Sequence, residues 1–180
     1  MLTNKTIFIA VKNWINEPLE AEKKYGHISK WNTSNVTNMS KLFENTDFNE
    51  DISNWDTSNV DNMSYMFYNN KYFNQNIGKW DTSKVENMNY MFYYAINFNG
   101  NVSQWDTKSV LTMRGMFQGA YEFNQYIGDW NVSKVEDMAY MFCDCKKFHQ
   151  DLVEWDTENV ENMCSMFNNC ETFDYDIFKW

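Results

Sequence analysis

The apolar residues of this chain fall in columns. Trp31, Trp55, Trp80, Trp105, Trp130, Trp155 and Trp180 are separated by one step of 24 residues and five of 25. The same beat carries Val36, Val60, Val85, Val110, Val135 and Val160, then Met39 to Met163, then Phe43, Phe67, Phe92, Phe117, Phe142 and Phe167. A second methionine column runs Met66, Met91, Met116, Met141 and Met166. The one short step is a deletion in a loop, since Phe43 and Phe48 are five apart where Phe67 and Phe73 are six apart. Self-similarity at this period marks a repeat architecture, in which each unit buries its apolar face against its neighbours.

Two local patterns alternate within a repeat. Asp56-Thr57-Ser58 precedes Val60, Met63, Met66 and Phe67, which lie at i, i+3, i+6 and i+7. That spacing predicts a short helix or 3-10 turn opened by a cap residue. Phe73-Asn74-Gln75-Asn76-Ile77 is apolar at both ends and predicts a strand, with Gly78-Lys79 bending the chain into Trp80. Parallel pairing of six such strands at the usual spacing would make a sheet roughly 25–30 Å long. The predicted fold class is therefore an α/β repeat solenoid, a stack of about six coils over residues 28–180, each with one short parallel strand and one short helix or 3-10 turn. Residues 1–27 do not repeat. Ile7, Val11, Trp14 and Ile15 form a helical stripe, Asn16-Glu17-Pro18 stops it, and Leu19, Ala21 and Tyr25 lead to Gly26, so this segment predicts an N-terminal helical cap. Each coil offers about seven large apolar side chains, and at roughly 1.5–3 kcal/mol per buried side chain these offset much of the ordering entropy of one coil.

Charge narrows the function. The formal net charge of −10 argues against nucleic acid, which requires clustered Lys and Arg. No run of 18 apolar residues is present to insert in a membrane, and the first 25 residues lack the features of a secretory signal, so the chain as written is expected to stay where it is made. All four cysteines, Cys143, Cys145, Cys164 and Cys170, lie in the last two coils. Cys145 and Cys170 share a column with Asn70, Ala95 and Ala120, which reads either as a small buried position or as a bridge between adjacent coils. Zinc-ligand spacing is absent, as are the Gly-rich nonapeptides of calcium ladders, and no metal or other cofactor is expected. His27 and His149 are far apart, no nucleophile recurs beside them and no phosphate-binding loop occurs, so no enzymatic activity is expected.

The polar columns have structural and binding readings. Asn49, Asn74, Asn99 and Asn124, continued by His149 and Asp174, are expected to form a buried ladder that satisfies backbone groups at turns. Asp56, Asp81, Asp106 and Asp156, with Asn32 and Asn131, are expected to cap helices or form turns. Two groups are candidates for binding. One is a tyrosine cluster, Tyr65, Tyr68, Tyr72, Tyr90, Tyr93 and Tyr94, whose rings either lean over the edge of the core or form an interface. The other is the strand-face column Asp51, Asn76, Asn101, Tyr126 and Asp151.

The repeat W-D-T-S-N-V-x-N-M-S-Y-M-F followed by F-N-x-D-I-S-x-W resembles that of the BspA-like surface proteins, a divergent leucine-rich-repeat group. Ala10 to Trp31 also resembles the leader that precedes such repeats. The resemblance implies a right-handed solenoid, a cell-surface or secreted location, and a part in surface attachment or protein interaction, with no catalytic residues. The function expected is a non-catalytic protein-protein interaction module. The alternatives are an adhesin that recognises glycans or host surface proteins, and a structural spacer. The last coil, ending at Trp180 after a strand candidate with no polar cap, is expected to expose apolar side chains and an unpaired edge, which would favour end-to-end self-association.

Overall fold

The computed structural model describes residues 1–177 and Trp180. Helix α1 (Asn4–Asn16) buries Ile7, Ala10, Val11 and Trp14, and helix α2 (Pro18–Tyr25) begins with proline in its first turn and buries Ala21. A 3-10 turn, Ile28–Lys30, leads into the repeats. The helices are tied to the first coil by polar contacts. Asn4 Oδ1 accepts from the amides of Thr37 (2.8 Å) and Asn38 (3.2 Å), and the Trp14 indole donates to Glu50 Oε1 at 2.6 Å.

The coils stack, but not through strands. Among the described residues the repeats contain only isolated parallel bridges, from Asn38 to Asn62 and on through Asn87, Thr112, Asp137 and Asn162. These lie in the segment expected to be helical, while residues 73–77 form no strand. The expectation of one parallel strand and one short helix or 3-10 turn per repeat is thus overturned, and with it the sheet and its strand face.

The reason lies in where the backbone hydrogen bonds go. In the expected strand segments side chains take them. The amide of Asn74 donates to Asn49 Oδ1, and the Ile77 carbonyl accepts from both the Trp80 amide and the Trp105 indole. No main-chain ladder is left to form there. In the expected helical segment, the amides of Met66, Tyr68 and Asn70 close three overlapping turns onto the carbonyls of Met63, Tyr65 and Phe67. The alternate amides of Met63, Tyr65, Phe67 and Asn69 donate to Asn87, Asn89, Met91 and Tyr93 of the next coil, at 2.6–3.0 Å. Tyr65 and Asn69 take left-handed φ of 59° and 53°, which breaks any helix and turns every second amide toward the neighbour. The third and fourth coils repeat this scheme.

Ring columns fill the interior. Phe92 stacks on Phe67 at 5.5 Å and on Phe117 at 5.6 Å, and each lies about 3.8 Å from the second phenylalanine of its own coil. Trp105 stacks on Trp80 and Trp130 at 6.4 and 6.2 Å. Buried Thr57, Thr82 and Thr107 each donate a hydroxyl hydrogen bond to a carbonyl of the following coil. In the last coil the same columns are less covered, with Val160, Met163, Phe167 and Phe173 only partly buried.

Candidate functional site

The overlapping turns place one outward side chain at each left-handed residue, and these build the most concentrated polar-aromatic surface of the molecule. One such column reads Lys41, Tyr65, Tyr90, Gly115, Tyr140 and Ser165, and the other Asn45, Asn69, Tyr94, Gly119, Asp144 and Asn169. Beside the first stands Tyr68 over Tyr93, coplanar within 5° at 4.4 Å. Tyr65 lies 5.1 Å from Tyr90 and 5.5 Å from Tyr68, and Tyr90 lies 5.8 Å from Tyr93. Tyr94 packs at 4.7 Å on Tyr93 and at 6.2 Å on Tyr121. Five of the six clustered tyrosines are thus in mutual contact. Tyr72, 53 % exposed, stands outside these ring contacts.

Tyr65, Tyr68, Tyr90, Tyr93, Gln118 and Tyr140 line an open cleft of about 310 Å³. At one end the Lys41 ammonium lies 5.2 Å from the centre of the Tyr65 ring. At the other, Arg114, the chain's only arginine, donates from Nε to the Tyr90 hydroxyl (2.8 Å) and from a terminal nitrogen to Asp137 (3.2 Å), with its guanidinium 5.2 Å from the Tyr140 ring centre. The pKa of Arg114 is raised further, first by the Tyr90 hydrogen bond. Burial raises those of Tyr65, Tyr93 and Tyr94, which keeps their hydroxyls protonated. Two glycines complete the face. A Cβ on Gly115 would collide with the Tyr90 ring, and one on Gly119 would sit 2.9 Å from Tyr94 atoms, so both rings lie over the bare backbone of the next coil.

Sequence reasoning did not single out Lys41, Arg114, Gln118, Tyr121 or Tyr140. The signal was legible for Lys41 and Tyr140, which share a 25-residue column with Tyr65 and Tyr90. Arg114 and Gln118 differ in type from their column neighbours, and only the folded turns bring them beside the rings.

The second candidate group is not a sheet face. The side chains of Asp51, Asn76, Asn101 and Asp151 each accept, through Oδ1, the amide two residues on, from Ser53, Gly78, Ser103 and Val153 at 2.9–3.0 Å. They form turns. Tyr126, 47 % exposed, donates its hydroxyl to Asp129 at 2.9 Å.

The asparagine column is a ladder but an exposed one. Asn49, Asn74, Asn99 and Asn124 each accept through Oδ1 from the amide of the next rung, at 2.8–3.0 Å, ending on His149. Asp56, Asp81, Asp106, Asp156, Asn32 and Asn131 accept the amide two residues on. The tryptophans Trp31, Trp55, Trp80, Trp105, Trp130 and Trp155 are buried, and each donates its indole N–H to a backbone carbonyl, a link not read from the sequence.

All four cysteines are free thiols. Cys145 donates to the Phe117 carbonyl and Cys170 to that of Cys145, at 2.8 and 3.2 Å. Burial raises both thiol pKa values, that of Cys170 to about 12. Among the described residues no group of three His, Cys, Asp or Glu is placed to hold a metal ion, and no helix is long and apolar enough to cross a membrane.

Neither a curated protein nor a solved structure matches this chain significantly. One family pattern does, over residues 13–110 and again over 96–180. These matches take in both the helical leader from Asn13 onward and the repeats, and the chain therefore belongs to the family described as Mycoplasma protein of unknown function, DUF285.

Proposed function

We propose that this chain is a non-catalytic interaction module of BspA-like type, and that its contact surface is the tyrosine face of the second to fifth coils. One observation supports this reading above others: Tyr65, Tyr90, Tyr94 and Tyr140 carry bulky side chains at φ of 49–61°. Such a backbone costs an L-residue about 1–2 kcal/mol, and glycine avoids that cost, as it does at Gly115 and Gly119. Each ring pair returns about 0.5–1.5 kcal/mol beyond the apolar area that these half-buried rings remove from water. The strain offsets part of what the rings contribute to folding, and the parts of the half-buried rings that stay in solvent are free to form a contact surface. Tyrosine suits that role because it offers large contact area at low entropic cost.

The test is a cross-linking pull-down comparing the native chain with a Tyr65→Gly/Tyr90→Gly variant. Partners captured by the first and missed by the second are expected. Equal capture would move the contact to another surface, and no capture by either would favour the structural spacer.

A further inference from the structure

Helix α1 lies where a coil before the first would lie, and it reproduces only part of that coil's hydrogen bonding. Between the first and second coils, the amides of Asp61 and Asn62 donate to the Thr37 carbonyl. The matching amides of the first coil, Thr37 and Asn38, donate instead to Asn4 Oδ1. The Trp31 indole likewise reaches the Gly26 carbonyl where Trp55 reaches that of Ile28. A third set of links has no substitute. The carbonyls of Ser64, Met66 and Tyr68 accept from amides of the first coil at 2.8–3.0 Å, and the same three columns accept in every later coil. Their counterparts in the first coil, Ser40, Leu42 and Glu44, accept no main-chain hydrogen bond among the described residues. The interior amides of a helix bond the helix's own carbonyls, so α1 supplies none.

Beside this row lies an open groove of about 480 Å³ between α1 and the first coil. Phe8, Val11 and Ile15 of the helix, with Leu42 from the middle of the carbonyl row, give it apolar walls, and Phe8 is 39 % exposed. Its charges are the Lys12 and Lys41 ammoniums. In a chain of net charge −10 no Asp or Glu lines it, and neither ammonium is in an ion pair among the described residues.

The carbonyl row selects the occupant. Acceptors two residues apart require N–H donors at the same interval, and at all five coil junctions a segment of main chain provides them. An acyl chain or a flat aromatic molecule would cover these carbonyls without donating to them. A whole coil from a second copy does not fit, because α1 fills the rest of that layer with Ile7, Ala10 and Trp14 buried. The room left is that of one extended segment. We propose that this groove binds an acidic, extended peptide segment of a partner protein, added along Ser40, Leu42 and Glu44 by main-chain hydrogen bonds. Its apolar side chains meet Phe8, Ile15 and Leu42, and its carboxylates meet Lys12 and Lys41. In strand addition of this kind the main chain supplies affinity and the side chains supply specificity. The site is separate from the tyrosine cleft and stands without it.

The test titrates the full chain with a hexapeptide of alternating glutamate and valine, blocked at both ends, while methyl resonances are followed. Saturable shifts are expected for Val11, Ile15 and Leu42, with Leu152 of the last coil unmoved. Two N-methylated forms of the peptide, one lacking the valine N–H groups and one lacking those of glutamate, separate main chain from side chains. One form is expected to bind at least about tenfold more weakly than the other, since only one row of amides can face the carbonyls. Lys12→Glu is expected to weaken the parent peptide roughly threefold to tenfold. A peptide of alternating lysine and valine is expected to give no shifts. The absence of saturable shifts, equal binding of the two N-methylated forms, or an equal response to the lysine peptide would overturn the proposal. Shifts of the same methyls with protein concentration alone would also overturn it and assign the groove to a second copy.

Discussion

Phe92 and Tyr90 sit two residues apart, and each heads a column of rings at nearly the same spacing. Phe92 stacks on the rings of the neighbouring coils at 5.5 and 5.6 Å, is fully buried, and has ordinary negative φ. Tyr90 lies 5.1 Å from Tyr65, is half-buried, and has φ of 54°. The two columns look alike in sequence and differ in energy. The inner one removes rings from water on relaxed backbone and stabilises every coil it crosses. The outer one sets ring contacts against left-handed strain and stays half-buried. A repeated column is therefore not by itself a structural column; its backbone conformation and burial decide which it is.

The comparison can be broken at several points. Phe92→Ala leaves a cavity between two stacked rings and is expected to cost about 3–5 kcal/mol, read as a lower urea midpoint. Gly115→Ala puts a Cβ into the Tyr90 ring and strains φ of 57°, with an expected loss of about 1–3 kcal/mol and displaced Tyr90 resonances. Tyr90→Gly in the same chain should recover much of that loss, which would place the clash on the ring. Thr82→Val removes the hydroxyl that donates to the Asp106 carbonyl at 3.0 Å. The expected cost is about 1 kcal/mol, and the fifth coil already carries Val132 in this column.

The turn columns add a pH dependence. Hydrogen bonds from Ser53, Ser58, Ser83 and Lys108 hold Asp51, Asp56, Asp81 and Asp106 below the ordinary carboxylate value of 3.8. A carboxylate with a lowered folded pKa contributes stability that is present above its unfolded value and lost as pH falls through the folded one. The urea midpoint is thus expected to fall below about pH 4. Replacing Asp56, Asp81 and Asp106 by asparagine should flatten that fall, since Asn131 forms the same turn without titrating.

The period, the core columns and the helical stripe of α1 were legible because each rests on side-chain type at fixed spacing. Local backbone was not. Val60, Met63, Met66 and Phe67 have helical spacing, yet the segment is a run of turns, because the left-handed residues Tyr65 and Asn69 are set by pairing with the next coil, and glycine marks their columns only in the fourth coil, at Gly115 and Gly119. Phe73 to Ile77 has strand composition, yet asparagine and tryptophan side chains from adjacent coils take up its backbone groups. Both errors share one cause: hydrogen bonds spanning about 25 residues override local propensity. The tyrosine cluster was legible as a concentration of one residue type. Its cleft was not, because Arg114 and Gln118 join it only through the turns.

The most direct test is equilibrium urea unfolding of the native chain, Phe92→Ala and Tyr65→Gly/Tyr90→Gly under one set of conditions. The account predicts that the tyrosine variant loses clearly less stability than Phe92→Ala, because strain relief offsets part of the ring contacts and burial it removes. A tyrosine variant as unstable as Phe92→Ala would show that the outer column holds the stack together, and would contradict its assignment as a binding surface.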